Sequence, residues 1–252
     1  MKAKMLKAIS FDLWDTLVVD DSDEVVRAER GLRSKHDERR WLVWQAAQSC
    51  SELSLAEVST AVDAVEAEFR RVWHEEHINW PCRERLERMM AALDLRPESD
   101  VFEHLLTETA HMEVRIPPRL IEGCEAALEA LCQDYRLGIT SDAIVTPGLQ
   151  LREIMKNHGI FRYFSHFSFS DEVGHSKPHR SMFEATAAGL GVALGEMVHI
   201  GDREHNDVLG PKALGMKSVM FAASRTTDRE GSTAEAICDH FRDLPGIIKA
   251  LG

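Results

Sequence analysis

The sequence predicts an α/β protein: a doubly wound, Rossmann-like parallel sheet interrupted early by an all-helical insertion. From about Leu120 onward, short β-branched or apolar runs alternate with helical segments. That alternation is the signature of parallel strands covered by helices on both faces. A further apolar run, Lys7-Ala8-Ile9-Ser10-Phe11, stands by itself near the start. A lone strand is not stable, so it must join the same sheet. Between them, from Asp23 to Val114, the texture is helical throughout. The core is therefore expected over residues 1–19 and 117–252, and the helical insertion over residues 20–116.

The elements follow in order. The first strand ends at Asp12 and leaves into a polar loop. Trp41, Leu42 and Trp44 fall at helical spacing between Glu38 and Gln48. Ser54-Leu55-Ala56-Glu57 is a capping box, with Ser54 as N-cap and Glu57 reaching back. It opens a helix to about His74, with Val58, Val62, Val65, Phe69 and Val72 on one stripe. Pro81 suits a first helical turn, and that helix runs to Leu93. Another follows Pro97 and continues to about Met112. Ile116-Pro117-Pro118-Arg119 is a stiff, non-helical return, matched by Val19 to Ser22 on the way out. Beyond it, helices are expected at Ile121 to Asp134, Leu149 to Asn157, Ser181 to Ala188 and Asn206 to Leu214. The strands between and after them are Arg136 to Thr140, Phe164 to Phe169, Met197 to Ile200 and Ser218 to Phe221.

Composition narrows the partners. Of 252 residues, 44% are hydrophobic and 29% charged, an ordinary globular balance. A net charge of −12 argues against a nucleic-acid backbone, which rewards clustered Lys and Arg. It leaves room for a small anionic substrate, since a local cationic pocket needs few residues. The five cysteines are scattered and odd in number, which suits reduced thiols in the cytoplasm. The basic Met1-Lys2-Ala3-Lys4-Met5-Leu6 is followed by no signal-peptide apolar region, and no apolar run is long enough to span a bilayer. Either a monomer or a homodimer is compatible with the chain.

Four motifs carry chemistry. Asp12 follows the first strand, Ser141-Asp142 a later one, Lys177-Pro178 lies in a polar turn, and Gly201-Asp202 ends a strand with Asp207 in the turn after it. Carboxyl ends of strands are where open α/β sheets bind ligands. A carboxylate attacks phosphorus or carbon only where accumulated charge is screened, and a lysine with an acidic pair for a cation supplies that screening.

In this order the motifs resemble the haloacid dehalogenase superfamily of aspartate-nucleophile hydrolases, in its helical-cap subgroup. The resemblance covers nearly the whole chain. It implies Asp12 as nucleophile, Ser141 as hydrogen-bond donor to the transferring group, and Lys177 as neutralising cation. It implies Mg²⁺ held by Asp12, Asp202, Asp207 and the backbone carbonyl of Trp14. Trp14, Thr16 and Asp142 beside these motifs are read as substrate-binding. So is Arg40, on the first long helix of the insertion, where dehalogenase relatives place a carboxylate-binding arginine.

One position departs from the pattern. Family phosphatases carry their general acid where this chain has Trp14. Asp15 is one substitute, a residue of the insertion another, and a leaving group that needs no proton a third. Dehalogenase relatives carry an aromatic Tyr there, work without metal, and have Ser in place of Asp202. Asp202 thus favours a metal-dependent phosphatase on a small phosphorylated metabolite over a 2-haloacid dehalogenase or a non-catalytic binding protein. The four tryptophans of the insertion, Trp41, Trp44, Trp73 and Trp80, are expected to build its core. The alternative is an aromatic ceiling over the site. His74-Glu75-Glu76-His77 lacks the four-residue spacing of a zinc helix and is expected to be a solvated face.

Overall fold

The structure is a computed structural model that describes residues 5–252. The basic stretch Met1-Lys2-Ala3-Lys4 lies outside the described residues. Strand β1 (Ala8–Phe11) is followed by six helices: α1 (Ser22–Glu29), α2 (Lys35–Ala47), α3 (Leu55–Glu76), α4 (Cys82–Ala92), α5 (Ser99–Ala110) and the one-turn α6 (Met112–Arg115). The chain then alternates through α7 (Cys124–Leu131), β2 (Arg136–Ser141), α8 (Gly148–Asn157), β3 (Phe164–Phe169), α9 (Ser170–Val173), α10 (Arg180–Leu190) and β4 (Met197–Gly201). A wide turn at Glu204–Leu209 leads to α11 (Gly210–Ala213), β5 (Lys217–Phe221), β6 (Ala236–Cys238) and α12 (Leu244–Leu251).

The strands form one parallel sheet in the order β3-β2-β1-β4-β5-β6. Every residue of β1 and β4 is buried, as expected for strands covered on both faces. The chain runs outward from β1 to β3, then returns to lay β4 on the other side of β1. The order reverses between β1 and β4, which opens a crevice at their carboxyl ends. Asp12 and Asp202 stand at that reversal.

Helices α2 to α5 gather around an apolar cluster of their own, built from Val43, Val58, Leu86, Met89 and Leu105, with Trp41 and Trp44 packed against it. Ser54 caps α3 and Glu57 reaches back to it, as the capping box predicts. The two crossings lie side by side: Val19 N–H donates to Arg119 O at 2.8 Å, and Arg119 N–H donates to Ser22 Oγ at 2.7 Å. A second contact sits far from them, where Ile78 bridges His175 and Ser176 N–H donates to His77 O at 2.8 Å.

Several elements differ from the sequence expectation. Helix α7 begins at Cys124 instead of Ile121, because Gly123 takes a left-handed backbone, φ 78°, that starts the helix there. The segment expected as a helix from Asn206 to Leu214 is helical, but it begins at Glu204 and its first stretch, Glu204–Leu209, is wound as a wider π-helix before α11. That stretch aims Asp207 back at β4: a Cβ at Gly201 would strike the Asp207 carboxyl, so only glycine lets the two approach. Strand β6 and helix α12 had no expectation. No helix among the described residues is long and apolar enough to cross a membrane, and all five cysteines are free.

Candidate active site

Three chain segments converge on Asp12. Strand β1 delivers it, with Asp12 N–H donating to Ile200 O of β4 at 2.9 Å. Lys177 Nζ donates to Asp12 Oδ1 at 2.7 Å and to Asp207 Oδ1 at 2.6 Å. All three side chains are buried. Burial alone would strip the charge from Lys177, but Asp12, Asp207 and Asp142 outweigh it and hold the ammonium well above its usual range. Burial likewise opposes the Asp207 carboxylate, yet Lys177 and His199 prevail and keep its carboxyl below the usual range.

His199 is the part of this site that motif reading missed. It is fully buried in β4, with Nε2 3.1 Å from Asp207 Oδ1 and Nδ1 2.8 Å from Ser10 Oγ. Burial lowers its pKa, so the ring is neutral. A carboxylate only accepts, so Nε2–H donates to Asp207 and Nδ1 accepts from the Ser10 hydroxyl. With Arg203 N–H donating to Asp207 Oδ2 at 3.0 Å, the carboxylate is locked on both oxygens. A histidine inside an otherwise apolar strand was the available signal.

The second wall comes from β2. Ser141 is fully buried, and its Oγ accepts from Leu13 N–H at 3.4 Å, one residue from Asp12. Asp142 Oδ1 accepts the Lys177 backbone N–H at 2.9 Å, and Asp142 O accepts from Trp14 Nε1 at 3.1 Å. Burial pushes the Asp142 carboxyl up to about 7, against the pull of Lys177. Trp14 is half-buried, packs on the core and lines the cavity above Asp12. It fills space and shapes the site at once, pinning the loop after β1 to the loop after β2.

Asp12, Asp202 and Asp207 form the one group of metal-ligand type among the described residues, with an oxygen from each within 4.8 Å of the others. Burial first, then the charges of Asp207 and Asp12, raise the Asp202 carboxyl to about 8. Arg225 offers it a hydrogen bond at 3.4 Å. Three buried hard oxygens close together fit Mg²⁺, which takes a few carboxylates plus water and substrate oxygens. His74 and His77 belong to no such group.

The cavity encloses about 360 Å³ and runs from Asp12 and Lys177 up to Lys35, Arg39 and Trp73 of the helical insertion. Five expected site residues do not line it: Ser141 and Asp202, which are buried beside Asp12, and Asp15, Thr16 and Arg40. Asp15 adopts a left-handed turn, φ 52°, and its Oδ1 accepts from Ser224 Oγ at 2.6 Å and Asp20 N–H at 3.2 Å. Its carboxylate is spent on holding the loop. Thr16 is buried in the turn after Asp12, its hydroxyl without a partner among the described residues. Arg40 is instead paired with Asp63 of α3 and with His36. The insertion arginine that does line the cavity is the neighbour, Arg39.

A family model described as haloacid dehalogenase-like hydrolase matches residues 6–215. The glyceraldehyde 3-phosphate phosphatase of Pyrococcus abyssi is 37% identical over 87 residues, 34% of this chain and 35% of that protein. The chain spans between about a third and just over half the length of such curated relatives. Among solved structures, a HAD phosphatase from Thermococcus onnurineus aligns with a TM-score of 0.65 at 24% identity, over 96% of this chain and 98% of that one. A 2-haloacid dehalogenase from Pseudomonas syringae aligns with a TM-score of 0.70 at 20% identity, over 98% of this chain and 100% of that one. At these identities the two structures speak for the fold.

Proposed function

The chain belongs to the haloacid dehalogenase-like hydrolases, and on that premise we propose that it is a Mg²⁺-dependent phosphatase acting on a small phosphorylated metabolite. One observation carries this reading: Asp202 adds a third buried carboxylate to Asp12 and Asp207 around one lysine. Three buried carboxylates so close are costly without a cation, and a carbon-centred displacement of halide has no use for one. The phosphatases among the curated relatives support the same choice. Residues 20–116 would serve as a helical cap, since they carry their own apolar cluster and cross to the core at paired segments.

In this reading Asp12 attacks the phosphorus, and the ester oxygen leaves. Lys177 offsets charge on Asp12 and on the phosphoryl oxygens. The Ser141 hydroxyl is free to donate to a phosphoryl oxygen, because its own oxygen accepts from Leu13 N–H. Asp12, Asp202, Asp207 and the Trp14 carbonyl would hold Mg²⁺, which when bound supplies positive charge against the phosphoryl group. Water then hydrolyses the aspartyl phosphate and frees Asp12.

Trp14 cannot protonate the leaving oxygen. Asp20 lines the cavity and, like Glu24 and Asp142, forms no ion pair among the described residues. Burial, and then the charge of Asp21, raise it to about 6. A carboxyl poised there suits general acid work near neutral pH, so we assign the proton to Asp20.

The test is release of phosphate or halide from a panel of alkyl phosphates, aryl phosphates, acyl phosphates and 2-haloacids, with and without Mg²⁺. Phosphate release that requires Mg²⁺ is expected. Halide release independent of metal would replace this reading with dehalogenation.

A further inference from the structure

The three carboxylates of the candidate cation site are not held alike. Lys177 bridges Asp12 and Asp207 at 2.7 and 2.6 Å and does not reach Asp202. Two arginines approach Asp202 instead: Arg225 Nη1 lies 3.4 Å from its Oδ2, and Arg203 Nε lies 3.9 Å from the same oxygen. Arg225 makes two shorter bonds. Its Nη1 donates to the Asp202 backbone carbonyl at 3.0 Å and to Asp228 Oδ2 at 2.9 Å. Asp228 Oδ2 also accepts from Glu204 N–H at 3.2 Å. Arg225 thus fastens the segment after β4 twice, at Asp202 directly and at Glu204 through Asp228.

The segment between β5 and β6 that carries Arg225 is itself anchored. Ser224 Oγ donates to Asp15 Oδ1 in the loop after β1 at 2.6 Å. The Glu204 carboxylate accepts from Ser232 Oγ at 2.7 Å, from Thr233 N–H at 3.0 Å and from Thr233 Oγ1 at 2.7 Å. The segment is therefore stitched to both loops that carry the three carboxylates. It lies beyond residues 6–215, the stretch that the family model matches. A guanidinium Nη carries two hydrogens, and here it meets three acceptors. The two short bonds use both hydrogens, so the contact with Asp202 Oδ2 is the weak one. The Asp202 backbone is fixed while its carboxylate is held loosely. A cation that draws Oδ2 away takes from Arg225 only its weakest contact.

We infer that Arg225 is a positioning residue for the cation site: it pins the Asp202 backbone so that the carboxylate stays turned toward Asp12 and Asp207, yet leaves that carboxylate free to bind a divalent cation. The inference rests on the Mg²⁺ reading of the site. Without the pin, the like charges of Asp12 and Asp207 push the Asp202 carboxylate away from them. A guanidinium near a cation also repels it, but Arg225 stays paired with Asp228 and is partly exposed to water, so that repulsion is screened. Orientation outweighs it. A firmly placed set of oxygens also favours Mg²⁺, which demands near-ideal octahedral geometry, over Ca²⁺, which tolerates a looser one.

The probes are Mg²⁺ and Ca²⁺, each titrated by calorimetry into the metal-free full chain, with no substrate present. Parent, Arg225→Met and Arg225→Lys are compared, and thermal midpoints in a chelator establish that each is folded. Arg225→Met should weaken Mg²⁺ binding about tenfold, the lower end for losing a group that orients a metal ligand. Ca²⁺ binding should weaken by about threefold or less, so the preference for Mg²⁺ falls. Arg225→Lys keeps the charge on a shorter stem and should weaken Mg²⁺ about threefold. Mg²⁺ affinity in folded Arg225→Met that equals or exceeds the parent's would overturn the inference, and so would equal losses for the two metals. If Arg225→Met does not fold, Arg225→Lys decides: parental Mg²⁺ affinity there overturns the inference. The two failures separate. A parent chain that binds no Mg²⁺ overturns the metal reading and this inference with it, whereas Mg²⁺ binding indifferent to Arg225 overturns the inference alone.

Discussion

The floor and the roof of the cavity are built on opposite terms. On the floor, Asp207 is bonded on both oxygens, Lys177 bridges two carboxylates and His199 is locked between Asp207 and Ser10. These groups sit on β1 and β4 and on the loops that pack against them. On the roof, Arg39 and Trp73 face the same space with donors unused. A floor whose Asp207, Lys177 and His199 are bonded to one another holds a fixed constellation for one reaction step, at little reorganisation cost. A roof that leaves donors open depends on what enters. On the proposed reading, the chemistry would fall to strands of the core and the choice of substrate to helices of the insertion.

The largest effect should come from the floor. Asp12→Asn keeps the shape and removes the proposed nucleophile, and turnover should fall by at least about 10³-fold, the scale of losing a covalent catalyst. The thermal midpoint should stay close to that of the parent. Wild-type rates in the variant would take Asp12 out of the mechanism.

Lys177→Met tests the floor as structure. It strands Asp12 and Asp207 as buried charges, and breaking such a set by removing one partner costs about 3–5 kcal/mol. Urea unfolding should register that loss along with the loss of activity. A variant as stable as the parent would mean that the floor is not held together by Lys177.

Between floor and roof stands Asp20. Asp20→Asn should slow alkyl phosphates by about 10²–10⁴-fold and leave activated aryl phosphates nearly unaffected. The parent rate on alkyl esters should fall as pH rises through about 6, where the acid form is lost. Stability carries the same sign. The folded pKa is raised from 3.8 to about 6, so the contribution of Asp20 is full below about 4 and fades as pH climbs to 6. Thermal midpoints measured across that window should decline more in the parent than in Asp20→Asn. Parallel curves would say that Asp20 does not titrate there.

How much was legible follows the same division. The floor was readable because Asp12, Ser141 and Asp202 each sit at or just beyond the end of an apolar strand, and strand ends are visible in sequence. Asp207 was readable from its spacing, although its geometry comes from a wide turn that no periodicity announces. The roof was not readable. Helical positions advance by about 100° per residue, so an error of one residue separates Arg39, which lines the cavity, from Arg40, which pairs with Asp63. Lys35 and Glu113 lie 78 positions apart and meet only in three dimensions. Asp15 reads as a second catalytic carboxyl until its left-handed backbone turns it toward Ser224.

The smallest effect should come from outside the cavity. Arg40→Ala removes exposed pairs with Asp63 and His36, worth about 0–1 kcal/mol. Steady-state constants should match the parent within about twofold. A loss of substrate affinity in folded Arg40→Ala would return Arg40 to the site.

The central claim is that Asp12 carries the phosphoryl group. The direct measurement is a rapid acid quench during turnover of an aryl phosphate in Mg²⁺, followed by mass analysis of the peptide that contains Asp12. The account predicts added mass of one phosphoryl group on that peptide, lost on longer incubation and absent from Asp12→Asn. Phosphate release with the label on another residue, or with none on the chain at any quench time, would contradict it.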